Sequence, residues 1–165
     1  MKTAIGDRLF FKVVYTALQF SWGIVQTLLG FVVFLLNIKS PHHFFCGCVV
    51  TTWKRKSSLS LGEFIFCTDD PFCYYPAKKS VFKYEQFYSM YEVHEYGHTV
   101  QSLIFGPLYL FVVGISSISW AMLPCFVKLR YKKSISYFAV FPENQANSLG
   151  EKITGKKSPG LILND

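Results

Sequence analysis

The chain has 165 residues, enough for one domain, with 51% hydrophobic and 18% aromatic residues and a mean hydropathy of +0.27. A water-soluble domain of this size rarely carries so much apolar material, so the composition points to a lipid bilayer. The net charge of +7 suits an anionic membrane surface; the Lys and Arg residues flank apolar stretches without forming one long basic run, which sets nucleic acid aside as a partner.

Val13 to Leu36 (VVYTALQFSWGIVQTLLGFVVFLL) is a run of 24 residues without a charge. It is long enough to cross a hydrocarbon core of about 30 Å and longer than a signal-peptide core, so it reads as a retained transmembrane helix. Gln19 and Gln26 lie seven apart and share a helical face, which marks them as packing residues. Phe44–Trp53 and Leu59–Phe66 are rich in β-branched and aromatic residues and read as strands, with the polar run 54–58 as the turn of a β-hairpin. Thr68–Ser80 holds two prolines and reads as a loop. The five cysteines are an odd number. Cys46 and Cys48, near His42 and His43, lack a usual zinc spacing; Cys67 and Cys73 could close a short disulfide loop, but free thiols in a reducing compartment are favoured.

Val93–Ser102 (VHEYGHTVQS) carries the chemistry. On a helix His94 and His98 are one turn apart on one face, where two imidazoles can share a tetrahedral zinc ion. Glu95 is rotated about 100° from His94, beside the ion, where a general base takes a proton from the attacking water. Gly97 would let another segment approach closely. A chance pair of surface histidines is the bland reading, and a third ligand decides against it. Phe141–Gly150 (FPENQANSLG) offers one. Pro142 suits a first helical position and Gly150 a stop, and Glu143, Ala146 and Asn147 share a face. Glu143 can ligate; Asn147 can hydrogen-bond a ligating imidazole.

HEYGH followed by ENQAN resembles the gluzincin pattern H-E-x-x-H … E-x-x-A-D, and within it the HtpX-type and CAAX-prenyl-protease-type membrane metallopeptidases. The resemblance covers two short motifs, about a tenth of the chain, and departs from the pattern at Asn147, where the family usually has Asp. It implies zinc held by His94, His98 and Glu143, with Glu95 as general base. It also implies that the Phe44–Phe66 region lies above the motif helix, where a peptide substrate could add as a strand.

Leu103–Val127 is a second uncharged run, of 25 residues, broken by Gly106-Pro107, by Gly114-Ile-Ser-Ser117 and by Pro124. A full crossing here would separate His98 from Glu143, because the following Lys128–Lys133 is too charged to begin a return. The expectation is therefore a re-entrant or interfacial segment bent near Gly114. Fourteen of the 17 Lys and Arg residues follow the first apolar run, all but Lys2, Arg8 and Lys12, which places the catalytic part in the cytoplasm.

The expected architecture is an α+β membrane protein. Residues 1–37 form an anchor, 38–154 a metallopeptidase domain that includes the broken apolar helix 103–127 and a short ligand helix, and 155–165 a flexible tail. The expected function is a membrane-bound zinc metalloendopeptidase acting on polypeptides in or near the membrane. Tyr91, Tyr131 and Tyr137 are unranked candidates for the oxyanion partner. Two alternatives stand: a non-catalytic membrane protein with a vestigial metal site, and an intramembrane protease of the site-2 type. The latter needs a downstream aspartate, and the only late one is Asp165.

Overall fold

The computed structural model describes residues 8–160. It is an α+β fold of six helices and one four-stranded sheet. In chain order these are α1 (Leu9–Gln19), α2 (Ile24–Leu36), β1 (His42–Phe45), β2 (Cys48–Trp53), β3 (Leu59–Leu61) and β4 (Phe64–Thr68). Then follow α3 (Tyr84–Phe105), α4 (Ile115–Met122), α5 (Pro124–Lys133) and α6 (Glu143–Thr154). Of the expected tail, residues 161–165 lie outside the described residues. Ser158, just before them, is buried, and its N–H and hydroxyl both donate to the Glu151 carboxylate, at 3.0 and 2.8 Å.

The 24-residue apolar run is not one helix. α1 and α2 meet at 95°, and among the described residues no single helix is long and apolar enough to cross a membrane. The bend is fixed by local chemistry. The Thr27 hydroxyl donates to the Gln19 carbonyl at 2.9 Å, and a side chain on Gly23 would crowd the Gln19 amide. Both glutamines face α3, as packing residues should. Gln19 donates to the Thr99 carbonyl at 2.8 Å, and Gln26 donates to the Ser102 hydroxyl at 2.7 Å.

The two apolar strand runs do not form one hairpin. Each folds on itself, β1 against β2 and β3 against β4, and β2 and β4 then pair in parallel, in the order β1-β2-β4-β3. The tight turns explain this. Cys46 and Gly47 both have positive φ, 51° and 102°, as a two-residue hairpin turn requires, and Gly62 has φ 60° at the second turn. Residues 54–58 are instead the link that carries the chain past β4 to the far edge. One sheet face packs on α3 through Val50, Ile65, Val93 and Tyr96. The other meets α2, where Val33 and Phe34 cover Trp53, Phe64 and Phe66.

The second apolar run does turn back, but not at Gly114. α3 stops at Phe105, a 3₁₀ turn spans Gly106–Leu108, and the axis bends by 119° between Leu108 and Leu110. Gly114 ends a π-helical stretch, Leu110–Gly114, that runs straight into α4. Proline at 107 ends the helical ladder where glycine at 106 allows the turn: Gly106 has φ 51° and sits against the Trp22 ring.

α3 and α6 pack backbone to backbone. A methyl on Gly97 would overlap the Ala146 carbonyl, and one on Gly150 would overlap the Val93 carbonyl. Gly150 is therefore not the stop that it resembled; α6 runs on to Thr154 and ends at Gly155 in the left-handed region. We expect Gly97→Ala to cost about 3 kcal/mol or more, read as a fall in the thermal midpoint, because no side chain can yield there. A second expectation concerns Glu63, in the β3–β4 turn. One carboxylate oxygen accepts from Thr16 at 2.6 Å; the other is buried with no hydrogen-bond partner. Burial raises its pKa from 4.5 to about 7, against the pull of the Thr16 hydroxyl. Its acidic neighbours Cys48 and Tyr96 have their own pKa values raised by burial, so they remain neutral. The fold thus favours the protonated acid, and the contribution of Glu63 to stability is full below pH 4.5 and is lost as pH rises through 7. Glu63→Gln should flatten that slope in melts recorded from about pH 5 to 8.

Candidate metal centre

The α3–α6 contact sets the site. Because Gly97 and Gly150 carry no side chains, the first turn of α6 comes within bonding reach of the His94 and His98 face. Glu143 Oε2 lies 3.1 Å from His94 Nε2 and 3.3 Å from His98 Nε2. The far nitrogens are also held. Asn147 Oδ1 accepts from His94 Nδ1 at 2.8 Å, and Gln101 Oε1 accepts from His98 Nδ1 at 2.8 Å. An acceptor on Nδ1 fixes the tautomer whose Nε2 lone pair points inward. Gln101 is held in turn, donating to the Pro142 carbonyl and to Gln145 Oε1, both at 2.9 Å, which ties the histidine face to the start of α6.

The donor set fits a divalent ion. One ligand atom from each of His94, His98 and Glu143 falls within a 4.8 Å span, and all three residues are buried. The two nitrogen–oxygen distances, 3.1 and 3.3 Å, bring the carboxylate oxygen between the imidazoles, so the group could hold a metal ion. The charges agree. Burial alone would make Glu143 a weaker acid, but the two imidazoles outweigh it and hold its carboxyl below the usual range. Burial alone would likewise lower the His98 pKa, but the Glu143 carboxylate raises it to about 9. The pocket therefore keeps one carboxylate ionised in the interior because the imidazoles beside it compensate its charge.

Glu95 points the other way, toward β3, and is not a ligand. The Ser60 hydroxyl lies 2.6 Å from its Oε2 and 2.9 Å from its backbone oxygen. Ser60 also accepts, through its carbonyl, from the buried Tyr109 hydroxyl at 3.0 Å. On the far side, the Ser117 hydroxyl of α4 donates to Glu143 Oε1 at 2.5 Å and stands 3.4 Å from the Tyr137 hydroxyl. The apolar segment after α3 thus reaches back over the ligands.

Of the five expected site residues, His94, His98, Glu143 and Asn147 meet in this cluster, while Glu95 turns to Ser60. Of the three candidate tyrosines, Tyr137 stands beside Ser117, Tyr91 packs on Phe87 one turn before the motif, and Tyr131 is 84% exposed and away from the site. Sequence reasoning missed Ser60, Ser117 and Tyr109, and placed Gln101 on the polar face of the histidines without giving it a role. Gln101, three residues beyond His98 on the same face, was within its reach; Ser60 and Ser117 are placed by tertiary folding, without a local signal. None of the five cysteines is in a disulfide, and Cys48 is buried against the Tyr15 hydroxyl at 3.3 Å. Among the described residues, His94, His98 and Glu143 are the one group of three such side chains close enough to share an ion.

No protein-family model, curated protein or solved structure matches this chain, so the reading of the site rests on its own geometry.

Proposed function

We propose that the protein is a membrane-bound zinc metalloendopeptidase of the gluzincin type, acting on polypeptides in or near the bilayer. The observation that carries this reading is the buried triad of two Nε2 atoms and one carboxylate oxygen, each oriented by a neighbour, with a non-ligating carboxylate on the adjacent residue. Bound zinc would polarise both the scissile carbonyl and the attacking water. Glu95 accepts the proton of that water and returns it to the departing amine. Ser60 fixes the Glu95 carboxylate by a hydrogen bond at the sheet edge. Asn147 and Gln101 hold the imidazoles, and Ser117 holds the Glu143 oxygen that does not face the histidines. The apolar side chains exposed along α1, α2 and α4 support the membrane setting. One feature favours a second reading: Asn147, an amide where the gluzincin pattern has a carboxylate, suits a protein that keeps the metal but not the chemistry.

Metal analysis of detergent-purified protein tests the site. The parent chain should carry about one zinc and Glu143→Ala should lose it, since removing one of three ligands leaves two imidazoles alone. A metal-free parent would end the enzymatic reading. Glu95→Gln should keep the zinc and lower peptide cleavage by about 10²-fold or more, as loss of a general base does. Zinc in the parent with no cleavage of any peptide library would select the non-catalytic reading.

A further inference from the structure

We propose that this protein inserts into one leaflet only, lying on an anionic membrane surface on the outer faces of α1, α2 and the Leu108–Met122 limb. The inference rests on the membrane reading above and is independent of the peptidase reading. Three observations carry it. α2 has 13 residues, about 20 Å at 1.5 Å per residue, and α1 has 11; neither spans the roughly 30 Å of a bilayer core. Nor can they straighten into one span, because the bend is tied down. Thr27 caps Gln19, Gln19 and Gln26 are both bonded to α3, and Trp22 lies against Gly106.

The second observation is what covers the inner faces. Val33 and Phe34 of α2 pack on the sheet, and Gly30 and Thr27 meet the β3–β4 turn at Leu61 and Gly62. On α1, Tyr15 packs beside Cys48 and Thr16 bonds Glu63. An open sheet with two edges cannot enter hydrocarbon, since its unpaired backbone groups would find no partners. If α2 stood upright in the bilayer, the sheet would be carried in along its length. If the helices lie flat, the sheet stays above and only the outer faces meet lipid. Those faces are apolar: Leu9, Phe10 and Val13 on α1, and Leu28, Val32 and Leu36 on α2, are 54% exposed or more.

The third observation is charge. Arg8 and Lys12 stand at one end of the pair and Lys39 just past the other. α5, which follows the exposed Met122 and Leu123, carries Lys128, Arg130, Lys132 and Lys133. A crossing would send Arg8 and Lys12 to one side and Lys39 to the other, so that neither flank is free of basic residues. Flat insertion leaves Arg8, Lys12 and Lys39 at one headgroup layer, where basic side chains are attracted to an anionic leaflet.

The test uses the full chain with Arg8→Cys and Lys39→Cys together, in a Cys125→Ser background. It is reconstituted into vesicles of phosphatidylcholine and phosphatidylserine, treated with a membrane-impermeant maleimide and read by intact mass. Relative to the background chain, one-leaflet insertion gives molecules with both added labels or neither, whichever way they face. A crossing gives molecules with one added label, and that result overturns the proposal. Binding should weaken at least several-fold in vesicles of phosphatidylcholine alone, and equal binding to both overturns the anionic part. Failure to associate with any vesicle assigns the apolar face to a protein partner or a second copy, while leaving the zinc and cleavage measurements untouched.

Discussion

Two helices can approach to backbone contact only where neither carries a side chain at the crossing, and the rest of this structure depends on that condition being met at Gly97 and Gly150. The contact is between glycine on one helix and a carbonyl on the other, in both directions, so it fixes separation and register together. Its consequence is chemical. The first turn of α6 is brought to the histidine face of α3 at the distance of a shared ion, and an interior carboxylate is placed where two imidazoles stabilise its charge. An isolated carboxylate at that depth would be strongly destabilising; here the geometry that buries it also supplies its partners.

The same economy runs through the layers around the site. α3 is shared by every part of the molecule: one face meets the sheet, one meets α6, and a third accepts the side-chain amides of Gln19 and Gln26. These amides sit in otherwise apolar surroundings and bond to backbone carbonyls and to Ser102, so α1 and α2 are keyed to α3 by polar contacts whose loss would leave buried groups unsatisfied. The N-terminal helices are thus a layer of the site's own scaffold as well as an apolar face.

The site was more legible in the sequence than the fold. His94, Glu95 and His98 are constrained by helical spacing alone, and Glu143 and Asn147 by the same spacing on a second short helix after Pro142. What spacing cannot say is which of two roles a glycine plays. Gly150 resembled a helix stop and is a close-packing residue; Gly114 resembled a hinge, and the hinge is at Leu108–Leu110. Strand pairing misled for a related reason. Alternating apolar residues identify strands, but the turn conformations at Cys46-Gly47 and Gly62 decide which strands pair, and a cysteine at positive φ gives no sequence signal. The uncharged length of Val13–Leu36 was read as one span, while the break depends on Thr27 reaching back to Gln19, a contact that hydropathy does not register. Ser60 and Ser117 come from segments read only as strand and apolar run, and reach the carboxylates through folding alone.

The bond between Tyr109 and the Ser60 carbonyl has a bearing on selectivity. β3 is one of the two edge strands of the sheet and touches Glu95, so on the peptidase reading proposed above an incoming peptide would align there. One of its carbonyls is already engaged by a side chain of the same molecule. A peptide aligning there competes with an intramolecular group that is always present, and loses about the worth of one hydrogen bond, near 1 kcal/mol, before it gains anything. Short or poorly fitting chains would fall below that threshold, whereas a chain with contacts on both sides of Tyr109 would exceed it. On the peptidase reading proposed above, such an internal competitor would make the protein sparing toward bystander sequences without any separate inhibitor.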